Sequence, residues 1–122
     1  MDAALNALSS LETYSLEEEQ RNVFNTCISA SEGRFDDFVV SLPKNNKTIQ
    51  LNIWRLISKF DVNGDVLFHN GKLVDVLAVT KEYSDSDVQD VSLSYFMSVL
   101  LIQLDSTDIS LRQSETVLAV AN

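Results

Sequence analysis

From Thr48 to Phe60 the apolar residues Ile49, Ile53, Leu56, Ile57 and Phe60 recur at helical spacing, and no other stretch limits the fold as tightly. At about 100° per residue they form one stripe, while Thr48, Asn52, Arg55 and Lys59 form a second, polar one. Beyond Phe60 the pattern shortens. Val66 to His69 and Lys72 to Val79 flank Asn70-Gly71, a dipeptide suited to the tight turn of a two-residue hairpin. The expected fold is therefore α+β. It is a mainly helical single domain of five to six helices, with one β-hairpin around residues 66–79.

The remaining elements fall on either side of this centre. A helical arm occupies residues 1–43, the helix-hairpin centre 44–81 and further helices 82–122. In the arm, Ala4, Leu5, Leu8 and Leu11 predict a short helix over residues 2–13. Ser15 and Glu18 have capping-box spacing, and Glu17, Glu18 and Glu19 suit the positive end of the helix that follows. Gly33 is its natural stop. Phe35, Phe38, Val39 and Leu42 predict a two-turn helix ended by Pro43, with a strand through residues 38–42 as the alternative. After Thr80, a loop with Ser84 or Ser86 as cap leads into a helix over residues 87–104, apolar nearly all round from Leu93 onward. A final helix is expected over residues 109–121, with a β alternative at 117–120.

Charge narrows the range of partners. The net charge of −9 opposes general affinity for nucleic acid or anionic membrane. Its distribution is uneven. Residues 1–43 carry −6, residues 44–81 carry +3 and residues 82–122 carry −6. Lys44, Lys47, Arg55, Lys59, Lys72 and Lys81 thus gather at the centre, between acidic flanks. No apolar run approaches the roughly 20 residues of a membrane span, and the N-terminal residues lack the basic start of a signal peptide. With a single cysteine, no internal disulfide can form, and an intracellular, cytoplasmic setting is expected.

Groups able to do chemistry are sparse. His69 is the only histidine and stands beside the expected turn; Cys27 falls on the apolar stripe of its helix. Asp36 and Asp37 are adjacent, so their side chains diverge. Asp61, Asn63 and Asp65 resemble positions 1, 3 and 5 of a calcium loop of the EF-hand and dockerin kind. Position 6, which should be Gly, is Val66, and position 12, which should be a carboxylate, is Lys72. These residues point to no enzyme, no metal site and no cofactor.

Two binding roles remain. The order of helix, short helix, longer helix and hairpin resembles the winged-helix arrangement, in which the helix before the hairpin enters the DNA groove. Lys47, Asn52, Arg55, Lys59 and Lys72 would then face the nucleic acid. The preferred expectation is a non-enzymatic protein-interaction module, an adaptor, assembly subunit or inhibitor. Its partner would be another protein, a basic one suiting the acidic flanks, or a second copy in a homodimer. Leu51 and Trp54 lie off the main apolar stripe and are candidate anchors, unless another helix of the same chain covers them. Tyr95 and Phe96 are candidates because their helix has more apolar surface than one contact buries.

Overall fold

The computed structural model describes residues 2–68 and 73–102. In chain order these form α1 (Asp2–Ser9), a 3-10 turn (Leu11–Thr13), α2 (Glu17–Ala30), α3 (Phe35–Val40), α4 (Lys47–Phe60) and α5 (Leu73–Glu82). A further helix, α6, covers 86–102. No strand occurs among the described residues. The fold is therefore helical, and the expected α+β class, with its hairpin over 66–79 and its winged-helix variant, is overturned.

The overturned hairpin has a clear physical reason. Leu73 to Val79 alternates enough to suggest a strand, but its buried side is helical. Val76 and Thr80 are buried, Leu73 and Leu77 half-buried, and Val74 is 76% exposed on the opposite side. An isolated two-stranded ribbon is marginal in water, whereas a helix satisfies its own backbone while burying this stripe. Packing thus overrides the β-branched composition. The stretch before it, Val66 to Phe68, is turn and not strand. Residues 69–72, with Asn70-Gly71, lie outside the described set, as does the expected helix 109–121 with its β alternative.

At the centre is α4, with both of its apolar sides covered. It packs with α1 and α2, which also pack on each other, while α3 meets α2 and α5. Ile49, Ile53, Leu56 and Ile57 are buried as their spacing implies. Trp54, on the next side, is 0% exposed; its ring meets those of Tyr95 and Phe96 of α6 at 5.9 and 5.8 Å. Its Nε1–H donates to the Tyr83 hydroxyl at 2.9 Å. Burial of an indole with its one donor satisfied is a core arrangement.

Several polar side chains fix the helix ends. Asn46 caps α4 by accepting from the Ile49 amide at 3.1 Å. Gln50 donates to the carbonyls of Pro43 and Lys44, which ties the incoming loop to α4. Asn52 donates to the Leu8 carbonyl at 2.8 Å, satisfying one of the free acceptors at the end of α1. Asp85, and neither Ser84 nor Ser86, caps α6 by accepting from the amides of Asp87 and Val88. The Ser15–Glu18 box does not form: Leu16 is the N-cap of α2 and makes no side-chain cap bond. Past α2, Glu32 and Gly33 take left-handed backbone, φ 51 and 84, and turn the chain into α3.

Asp61 organises the turn after α4. Its carboxylate accepts from the amides of Val66 and Leu67, each at 3.0 Å, and its backbone carbonyl accepts from the Tyr95 hydroxyl at 2.6 Å. Gly64 at φ 78 completes the turn, with Phe68 and Val99 packed where a side chain would begin. None of the helices among the described residues is long and apolar enough to cross a membrane.

Candidate functional site

Helix periodicity places Asn52, Arg55, Leu56 and Lys59 on one side of α4, since residues three and four apart are neighbours on a helix. Opposite them run the 3-10 turn and the start of α2. A cleft of about 430 Å3 opens between these elements. Leu11, Tyr14 and Leu56 supply its apolar lining; Gln20, Arg55 and Lys59 supply most of its polar lining. Asn52 and Glu12 complete it.

One hydrogen-bonded bridge sets the shape of the cleft. Lys59 Nζ donates to Gln20 Oε1 at 2.7 Å, and Gln20 Nε2 donates to the Tyr14 carbonyl at 3.1 Å. The amide of Gln20 thus joins the α1–α2 connection to α4 and holds the Lys59 ammonium beside the opening. Arg55 is exposed and makes no ion pair or hydrogen bond with any described residue. Nor does Glu12 neutralise it, because the two form no ion pair. An unengaged guanidinium with an oriented ammonium one turn away is equipped to receive an anionic group.

Two other cations of the basic centre have partners, while Lys81 is exposed without one among the described residues. Lys47 pairs with Asp85 at 3.2 Å and Asp87 at 3.3 Å, and Lys44 with Glu82 at 3.7 Å. Donation of hydrogen bonds to the Asp85 and Asp87 carboxylates raises the Lys47 ammonium above its ordinary value. Around Asp85 burial works the other way, but Lys47 and two backbone amides prevail and lower its carboxyl. Part of the charge contrast between the centre and the C-terminal flank is therefore spent inside the chain. Arg21 lies over the Phe60 ring at 4.6 Å.

The residues singled out for nucleic-acid contact are thus dispersed. Asn52 is 1% exposed and bonded to α1; Lys47 is occupied by carboxylates; Arg55 and Lys59 share the cleft. Lys72 lies outside the described residues, and so does His69. Among the described residues of that set, Arg55 and Lys59 are the two cations left for a ligand, fewer than the several phosphate contacts that productive binding uses.

The candidate protein anchors sit elsewhere. Trp54, Tyr95 and Phe96 are buried in the core, and Leu51 is half-buried against it. Of the two readings open for Trp54, anchor or residue covered by another helix of the same chain, the second holds, with α6 as the cover. On α6 it is Met97, Leu100 and Leu101 that remain exposed.

Among the described residues, those weighed for chemistry do not converge. Cys27 is fully buried, and burial pushes its thiol up to about 12, away from the reactive thiolate. Asp36 is buried, with Oδ1 accepting from the Asp37 amide and Oδ2 without a partner among the described residues. Asp61 is occupied by the turn it caps, while Asn63 and Asp65 are exposed. No group of three or more His, Cys, Asp or Glu side chains suited to a metal occurs among the described residues.

Sequence reasoning identified Arg55 and Lys59 by their spacing, but not Gln20, Tyr14 or Leu11, which meet them only through the packing of α1 and α2 on α4. Comparison with known proteins supplies no anchor: no protein-family model, no curated protein and no solved structure matches the chain.

Proposed function

We propose that this chain is a non-enzymatic protein-interaction module that receives a segment of a partner protein in the cleft between the 3-10 turn and α4. The observation that carries the proposal is Arg55, an exposed cation without a partner among the described residues, beside Leu11, Tyr14 and Leu56. Mixed apolar and cationic linings of this kind suit peptide recognition, in which apolar contact supplies affinity and a few polar groups fix orientation. The net charge of −9 slows the approach of an acidic partner. Acids lying more than the Debye length of about 8 Å from the cleft are largely screened at physiological salt, so they act weakly on a bound segment.

A photo-cross-linking residue at position 12 tests the proposal. It should capture one stoichiometric partner from cell extract, and Arg55→Ala, at an exposed residue that no described residue holds, should abolish capture without changing the melting temperature. Capture at position 12 no better than at exposed position 90 would count against it.

A further inference from the structure

Building on that proposed role, we infer that the cleft recognises a carboxylate on an apolar peptide segment, with Arg55 as the principal grip and Lys59 as the second donor. The guanidinium fork matches a carboxylate through two parallel hydrogen bonds. Arg55 is free to form them, because no described residue holds it. Lys59 stands one helical turn away with its Nζ fixed by Gln20 at 2.7 Å. An ammonium has three donors, so the bond to Gln20 leaves others for a ligand oxygen. Gln20 is thus a positioning residue: it touches Lys59 and the Tyr14 carbonyl, and it sets where the second charge stands.

Half-buried Tyr14, with the small exposed parts of the otherwise buried Leu11 and Leu56, gives the flanking residues of the segment an apolar contact. Glu12 is the one carboxylate in the lining, and it opposes a segment with several acids. The occupant that fits is therefore a largely apolar stretch of another protein with a single acidic side chain. An acidic tract or a phosphate-rich polymer fits less well, since each added charge meets Glu12 in the lining.

The test is a titration of the full chain, followed by its backbone amide NMR signals, with an acetylated and amidated hexapeptide containing one Glu among Leu and Ala. The Gln version of the peptide and inorganic phosphate are the other arms. The Glu peptide should shift the signals of residues 11–14, 20 and 52–59. The Gln peptide should bind about tenfold more weakly, the scale of one lost charge-assisted contact. Arg55→Lys should remove most of that preference although it keeps the charge, and Glu12→Gln should strengthen binding of the Glu peptide. Gln20→Ala should reduce the preference of Glu over Gln without abolishing binding. Equal binding of the two peptides, stronger shifts with phosphate, or shifts outside the cleft would overturn the carboxylate assignment. Cross-linking of a partner at position 12 alongside such a result would leave the interaction role intact, so the two failures are distinguishable.

Discussion

Replacement of Asp61 by Ala is the sharpest test of how the turn after α4 is held. The carboxylate accepts from two backbone amides, Val66 and Leu67, at 3.0 Å each, and Leu67 is fully buried. Truncation leaves both donors without an acceptor. The buried one costs about 1–3 kcal/mol, and the half-buried one less, because water reaches it. Tyr95 keeps its stronger bond, the 2.6 Å contact to the Asp61 backbone carbonyl, so that part of the network survives. The sum is about 2–4 kcal/mol, a large share of a typical stability of about 5–15 kcal/mol. For a chain of this size it corresponds to a drop of roughly 8–16 °C in melting temperature. Urea unfolding followed by circular dichroism, with melting curves beside it, measures the effect. Asp61→Asn keeps one acceptor oxygen and should fall between wild type and Asp61→Ala. Calcium should leave the wild-type melting temperature unchanged, since a ligand that binds only the folded state would raise it. An Asp61→Ala melting temperature within about 2 °C of wild type, the scale of a neutral surface change, would refute the reasoning.

Other expectations concern the core. Burial raises Cys27 from 9.0 to about 12 and also raises Tyr83 and Tyr95 above their ordinary 10.0. For groups raised in the folded state, stability is complete below the unfolded value and lost as pH climbs towards the folded one. Stability should therefore hold at neutral pH and fall from about pH 9, with Cys27→Ala removing part of the decline on the pH-resolved urea midpoint. Gly64→Ala should destabilise by more than about 1 kcal/mol, the cost of a left-handed non-glycine residue. Its new Cβ would also stand 2.7 Å from the Phe68 ring, and a melting curve reads the sum. Tyr83→Phe should cost about 1–3 kcal/mol by leaving the buried Trp54 N–H without its acceptor, read by urea unfolding with tryptophan fluorescence.

The legible part of this chain was its helical periodicity. Ile49, Ile53, Leu56 and Ile57 are buried as spaced, and the polar stripe containing Arg55 and Lys59 does reach the cleft. A single stripe, however, describes a surface helix, and α4 is covered on a second side by Tyr95 and Phe96. That is why the sequence leaves Trp54 open between anchor and core, and the covering of the second side makes it core in the fold. The hairpin failed for a related reason. Leu73 to Val79 satisfies both periods in part, and only the tertiary partners of Val76 and Thr80 decide between them. The charge blocks were read correctly in sign, but Lys44 and Lys47 meet Glu82, Asp85 and Asp87 within one molecule. Gln20 carries no local signal at all. Its role comes from lying across from Lys59 once α2 packs on α4.

The central claim, that the cleft beside Arg55 is where a partner lands, is tested most directly by competition. The Glu hexapeptide, added before photolysis, should suppress cross-linking of the captured partner at position 12, and the Gln version should do so only at about tenfold higher concentration. Undiminished cross-linking at saturating Glu peptide would contradict it.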